Sequence, residues 1–266
     1  MTDDDGALSA DLAAALERAA AAEHLLVALD FDGTMAPLVD RAEDARALPR
    51  SAAALAGLAK LRATSTALIS GRALQTLRSL ASPEEQTLLI GSHGAETWTG
   101  PGHAPLELDE QARDLLASAT AVVAGIVETH PGTSLEEKPA GAVLHTRTAA
   151  PETAAAAAEV ALRELHALDG LTVTEGKQVV ECSVVHSDKG QGIETLRSMT
   201  GATAVLFAGD DVTDEDAMAV LGTADVGIKV GPGPSRAGYR VNAPEQMQDV
   251  LETLLDLRFA ATGPAA

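Results

Sequence analysis

One cysteine in 266 residues, Cys182, has no partner for an intramolecular disulfide and offers too few thiolates for a zinc or iron–sulfur site. Aromatic residues are nearly as scarce, at 2% of the chain, so a ligand must be held by hydrogen bonds and charge rather than by stacking. Bases number 19 against 39 acids, and the formal charge of −20 repels nucleic-acid backbones and anionic membrane surfaces alike. Neither nucleic acid nor a membrane is therefore an expected partner. Long apolar runs are missing too. The most apolar stretch, Ala119 to Val127, falls far short of the ~20 residues needed to span a bilayer. Met1-Thr2-Asp3-Asp4-Asp5 is acidic where a secretory signal would be basic. A cytoplasmic protein is expected, with a monomer favoured.

What is present is an ordinary globular composition, 46% hydrophobic, in a chain long enough for roughly two domains. Short apolar runs alternate with helical stretches, the pattern of βα units around a parallel sheet. Leu25–Leu29, Thr66–Ile69, Thr87–Ile90, Val205–Ala208 and Asp225–Val230 read as buried strands. Helical segments lie between them near Ser51–Leu61, Ala73–Leu80, Gly190–Met199, Glu215–Leu221 and Pro244–Leu257. The middle of the chain differs. Helical patterns at Leu108–Thr129 and Pro151–Leu168 each precede two short strands, at Thr133–Glu137 and Gly141–Arg147, then at Leu171–Glu175 and Gln178–Val184. Gly176-Lys177 reads as the second hairpin's turn. The expected fold is α/β, a doubly wound Rossmann-like core of residues 1–102 and 185–266 with an α-β-β-α-β-β domain inserted at 103–184. Met1–Gly6 and Ala260–Ala266 look disordered by composition.

Four stretches end apolar strands with polar groups, where a doubly wound sheet places its active site. In Leu29-Asp30-Phe31-Asp32-Gly33-Thr34, two carboxylates directly follow an apolar run, a costly placement without a partner charge. A cation between strand ends would relieve that cost, and Asp oxygens suit magnesium. One carboxylate could then act as nucleophile and the other handle protons. Taken alone, the pair also reads as an Asp-Gly turn with a helix cap. Leu68-Ile69-Ser70-Gly71-Arg72 offers a hydroxyl to a phosphoryl oxygen, or simply an N-cap serine. Asp188-Lys189-Gly190 opens a helix, where Lys189 could neutralise a nucleophile or stay solvated. Finally, Gly209-Asp210-Asp211-Val212-Thr213-Asp214-Glu215-Asp216 crowds five acids into seven positions. These repel one another unless a cation sits among them or the loop is solvated.

The ordered set resembles the haloacid dehalogenase superfamily, whose hallmark is D-x-D-G-T, a strand-end Ser or Thr, a Lys and a G-D-x-x-x-D loop. The resemblance implies phosphoryl transfer through an aspartyl-phosphate. Asp30 would be the nucleophile and Asp32 the general acid and base, with Ser70 and Lys189 positioning the phosphoryl group. Mg²⁺ would be held by Asp30, the Asp32 carbonyl and Asp210, supported by Asp211 and Asp214.

Further stretches are similar to the trehalose-6-phosphate phosphatases of that superfamily. Gly91-Ser92-His93-Gly94-Ala95-Glu96 matches G-N-H-G-A-E with Ser for Asn. Glu136-Glu137-Lys138 with His145-Thr146-Arg147 matches E-D-K and H-Y-R, and Gly176 to Glu181 matches G-K-x-x-x-E. The resemblance covers Leu25 to about Leu257. It implies a C2B-type cap domain on the inserted segment and a small-molecule sugar phosphate as substrate. Glu137, Lys138 and Glu181 would reach sugar hydroxyls, with Thr34, Arg72, His93 and Arg147 as further substrate contacts. Trp98 reads as packing. The family pattern E-I/V-R-P is replaced here by Glu181-Cys182-Ser183-Val184, and H-Y-R loses its aromatic. A related phosphorylated disaccharide therefore stands as the alternative substrate. A non-catalytic binding module on the same scaffold is a third reading, but it would need a broken catalytic set.

Overall fold

A computed structural model describes residues 8–100, 107–185 and 187–264. The chain forms two compact units, one of residues 1–103 with 188–266 and one of residues 104–187. Its helices and strands run α1 (Ala10–Ala20), β1 (Leu25–Leu29), α2 (Pro49–Leu58), β2 (Thr64–Ile69), α3 (Leu74–Ala81), β3 (Leu88–Gly91) and β4 (Glu96–Trp98). The second unit holds α4 (Glu110–Thr129), β5 (Ser134–Lys138), β6 (Gly141–His145), α5 (Pro151–Leu165), β7 (Thr172–Gly176) and β8 (Val179–Ser183). The first unit resumes with α6 (Lys189–Thr200), β9 (Ala204–Gly209), α7 (Asp214–Ala219), β10 (Val226–Val230), β11 (Tyr239–Val241) and α8 (Pro244–Thr262).

The larger sheet runs β11-β10-β9-β1-β2-β3-β4. Every neighbouring pair is parallel except β3 and β4. Because side chains alternate across a strand, β1 feeds two cores. Leu25, Val27 and Leu29 pack with α1, α2 and α8 residues such as Leu16, Leu55 and Leu251. Leu26 and Ala28 pack on the other face with Ile193, Leu196 and Met218 of α6 and α7. The chain leaves β1 toward β2 on one side and returns as β9 on the other, so the connections after β1 and β9 diverge. That divergence is a topological switch point, where such sheets bind their ligands.

Two elements depart from the sequence expectation. The tail expected to be disordered from Ala260 is helical through Thr262 and closes at Gly263, whose φ is +69°. Arg258 anchors it with no exposed surface, donating to the carbonyls of Ala20, Ala22 and Ala63 and to the Thr64 hydroxyl. The hairpin turn expected at Gly176-Lys177 falls one residue later, at Lys177-Gln178, since Gly176 pairs with Val179. Met1–Gly6 lies outside the described residues.

In the second unit, a four-stranded antiparallel sheet of order β5-β6-β8-β7 forms one layer. Ala119 and Val123 of α4 and Ala157 and Ala161 of α5 pack against Leu144, Val180 and Cys182 on one of its faces. Asp109 caps α4 by accepting from the Ala112 amide at 2.8 Å, and Pro151 opens α5.

Candidate active site

Asp30 follows directly on β1; it is 4% exposed, and its amide donates to the Ala208 carbonyl of β9 at 2.9 Å. Lys189, at the start of α6, donates to Asp30 Oδ1 at 2.6 Å and to Asp214 Oδ1 at 2.5 Å. Asp214, the first residue of α7, is fully buried, and its Oδ2 accepts the Asp211 amide at 2.8 Å. Asp210 completes the group. Asp30, Asp210 and Asp214 each present an oxygen within 4.8 Å of the others.

Burial and like charge dominate the electrostatics. Burial pushes the Asp30 carboxyl well above its ordinary range; Lys189 opposes the rise, while Asp214 and Asp210 add to it. Burial works against the charge on Lys189, but Asp30 and Asp214 together outweigh it and hold the ammonium charged. Asp210 is pushed up to about 6, first by burial and then by Asp214 and Asp211. Three carboxylates facing one bonded ammonium form a hard, oxygen-only, net negative donor set. Such a set suits a small divalent cation such as Mg²⁺.

The loop after β1 turns sharply. The Gly33 amide donates to the Ala36 carbonyl at 2.7 Å with φ at +81°. A Cβ at Gly33 would lie 2.2 Å from Asp210 Cγ, so glycine is required for both conformation and space. Asp32 is held apart from the acidic group. Arg72 clamps it in a bidentate pair, Nε to Oδ2 at 2.6 Å and Nη2 to Oδ1 at 2.7 Å, with the guanidinium over the Phe31 ring.

The remaining expected residues divide. Ser70 is buried at the end of β2, and its hydroxyl accepts the Arg72 amide at 3.2 Å. Thr34 is fully buried, and its hydroxyl has no hydrogen-bond partner among the described residues. Asp211 is exposed and stands outside the close carboxylate group, its Oδ1 accepting the Val212 amide at 2.7 Å. His93 lies in the short turn Ser92–Gly94, and its side chain is outside the described residues. Trp98 packs partly buried against the core with Arg78 over its ring at 3.9 Å.

Two residues to which the sequence assigns no role belong to this framework. Glu96 accepts the Ser92 hydroxyl at 2.6 Å and the Leu74 amide at 3.2 Å, while the Ser92 amide donates to the Arg72 carbonyl at 2.8 Å. The G-S-H-G-A-E stretch therefore braces the loop that carries Arg72. Lys229 of β10, 5% exposed, donates its ammonium to the Asp210 carbonyl.

In the second unit, Lys138 donates to Glu181 at 2.6 Å across β6. Glu136 and Glu181 both pair with Val143, and Glu136 also accepts from the His145 ring nitrogen Nε2 at 2.8 Å. Glu137 is one residue out of phase. It shares the side of Leu135, which packs toward the helices, and it is exposed. Glu136, not Glu137, stands on the face of Lys138 and Glu181. Arg147 is exposed beyond β6 and donates to Gln178 at 3.2 Å.

A family model described as Trehalose-phosphatase matches residues 28–245 of this chain. The trehalose-phosphate phosphatase of Mycobacterium avium is 31% identical over 252 residues, 89% of this chain and 63% of that protein. The chain thus spans less than two thirds of that relative's length. The trehalose-6-phosphate phosphatase of Escherichia coli is 31% identical over 231 residues, 85% of this chain and 84% of that protein. The C-terminal domain of the C. albicans trehalose-6-phosphate phosphatase shares the fold, with a TM-score of 0.77 at 20% identity over 95% of this chain and 99% of that one. With most of its length matched, the chain belongs to the trehalose-phosphatase family.

Proposed function

We propose that this chain hydrolyses trehalose 6-phosphate to trehalose and inorganic phosphate, the last step of trehalose biosynthesis, with Asp30 carrying the phosphoryl group. The observation that carries the reading is the buried Lys189 bridging Asp30 and Asp214 beside Asp210 at the switch point of the sheet. Lys189 holds one Asp30 oxygen, and among the described residues the other accepts no hydrogen bond, leaving it to attack phosphorus. As the Asp30–phosphorus bond forms, the bond from phosphorus to the sugar oxygen breaks. Asp32, carrying a proton when the sugar phosphate is bound, gives it to that oxygen. Water then attacks phosphorus, Asp32 takes the water's proton, and the bond to Asp30 breaks, which restores the nucleophile.

Ser70 and Lys189 position the phosphoryl oxygens, and Arg72 orients Asp32. Thr34, being fully buried, supports the turn after β1. Asp30, Asp210 and Asp214, with the Asp32 carbonyl, would hold Mg²⁺, and Asp211 steadies Asp214 through its amide. The ion supplies positive charge that offsets repulsion between carboxylate nucleophile and phosphate dianion.

The second unit acts as a C2B-type cap domain, its α-β-β-α-β-β order supporting that reading. Glu136, Lys138 and Glu181 are the proposed contacts to sugar hydroxyls, with Arg147 at their margin. A second reading, hydrolysis of a related phosphorylated disaccharide, is favoured by Ser183. It lies two positions along β8 on the face of Glu181, where the family pattern carries arginine.

Initial rates of phosphate release with Mg²⁺ on trehalose 6-phosphate, sucrose 6-phosphate, glucose 6-phosphate and p-nitrophenyl phosphate test both readings. A preference for trehalose 6-phosphate of about a hundredfold, roughly 2.7 kcal/mol, is expected. Turnover of the chromogenic ester without that preference would overturn the substrate and keep the chemistry. No EDTA-sensitive turnover of any ester would overturn both.

A further inference from the structure

Lys229 lies on the strand next to β9, its backbone in register with Gly209. Its side chain is buried, and among the described residues its ammonium bonds only the Asp210 carbonyl, with no carboxylate in contact. A buried ammonium satisfied by one peptide oxygen is expensive. What compensates it here is the field of the acidic group next door. Lys189 and Lys229 are the two cations that act on the Asp210 carboxylate.

Formal charges then define a role. In the substrate-free protein Asp32 and Arg72 form a closed pair of no net charge. Asp30, Asp210 and Asp214, with Lys189 and a bound divalent cation, sum to neutrality. A set of charges that sums to zero draws a phosphoryl dianion less strongly than one with a positive excess. Lys229 adds a buried positive charge beside them, opposed by the exposed Asp211 carboxylate at the rim. We infer that Lys229 is a positioning residue that fixes the Asp210 carbonyl and shifts the balance of charge in the site toward phosphate once a divalent cation is bound. The inference rests on the phosphatase reading above.

This role predicts effects of opposite sign on two ligands. A positive charge beside the carboxylates weakens their hold on a cation and strengthens the site's hold on an anion. Lys229→Gln removes the charge and keeps an N–H donor near the Asp210 carbonyl, while Lys229→Arg keeps both. Mg²⁺ binding is measured by calorimetry without phosphate, and inorganic phosphate binding is measured at saturating Mg²⁺. Circular dichroism checks that each variant is folded.

For Lys229→Gln, phosphate affinity should fall about tenfold while Mg²⁺ affinity holds or rises; Lys229→Arg should restore phosphate binding. Parallel losses of both ligands in Lys229→Gln would mean a merely structural lysine and overturn the inference. So would unchanged phosphate binding. If the unsubstituted protein binds no phosphate at saturating Mg²⁺, the phosphatase reading fails first and takes this inference with it.

Discussion

Glu136 and Glu137 are neighbours in sequence and stand on opposite sides of the same sheet. Glu136 meets His145 and shares its level with Glu181, while Glu137 shares the side of the helix-packed Leu135. If the face of Lys138 and Glu181 reads the sugar, the two glutamates should separate in function. Glu136→Ala is expected to lower kcat/KM for trehalose 6-phosphate by at least about tenfold, about 1.4 kcal/mol, with p-nitrophenyl phosphate turnover unchanged. Glu137→Ala should leave both rates near those of the unsubstituted protein. The reverse pattern would return the assignment to Glu137.

That pair also marks how far the sequence could be read. The strand-end residues Asp30, Ser70 and Asp210 were legible because an apolar run followed at once by polar groups signals a carboxyl edge. The order of the second unit's elements was legible from its two helix-strand-strand patterns. Choosing between adjacent glutamates needs the register of β5 against β6, which one-residue ambiguity in a strand boundary erases. Lys229 was hidden for a different reason: it sits inside an apolar strand, and only the third dimension brings it beside Asp210. The edge strands β4 and β11 are three residues each, too short for any alternation to show. The helical tail is not legible because its Ala-rich composition says nothing of Arg258, whose four hydrogen bonds tie α8 to the start of the sheet.

The bridge made by Lys189 makes stability and turnover move apart. Asp30→Asn removes the nucleophile together with a carboxyl whose charge burial disfavours, while Lys189 keeps Asp214. Phosphate release should fall by about four orders of magnitude or more, with a melting temperature in metal-free buffer no lower than before. Lys189→Met instead leaves two buried carboxylates without their cation, a loss of about 3–5 kcal/mol. Urea titrations of the two variants beside the unsubstituted protein would check this, and equal destabilisation would refute the bridge's role.

Asp210 gives the site a pH signature. Its value near 6 lies above the ordinary 3.8, so between those values the folded chain keeps a proton that the unfolded chain has released. Stability contributed by this group is therefore full below pH 3.8 and is lost as pH rises through about 6. In metal-free buffer, Asp210→Asn should melt progressively higher than the unsubstituted protein as pH is raised from about 4 to about 7. Added Mg²⁺ should raise the melting temperature of the unsubstituted protein above about pH 6 and lose that effect as Asp210 takes up its proton. A Mg²⁺ effect independent of pH would remove Asp210 from the ligand set.

Arg258 tests the fold without touching the chemistry. Its partners lie at the ends of α1 and the start of β2, on the amino edge of the sheet, opposite Asp30. Arg258→Met would strand the Ala20 and Ala22 carbonyls, while Ala63 keeps the Leu25 amide, and is expected to cost about 3 kcal/mol, seen as a lower urea midpoint. Kinetic constants measured well below the melting temperature should be unchanged.

Gly33 provides the strictest steric test. Alanine there would carry two penalties: a left-handed backbone at φ +81°, and a Cβ driven to 2.2 Å from Asp210 Cγ. The first costs roughly 1–2 kcal/mol at any such position; the second displaces a proposed Mg²⁺ ligand. Gly201 separates them, since it closes α6 at φ +69° with nothing within 4 Å of where a Cβ would stand. Gly201→Ala should lower the melting temperature by a few degrees and leave Mg²⁺ activation intact. Gly33→Ala should lower it too and also raise the Mg²⁺ concentration for half-maximal activity by about tenfold or more. If both variants kept the same Mg²⁺ dependence, the close approach of Gly33 to Asp210 would have no bearing on metal binding, and the glycine would be explained by its backbone alone.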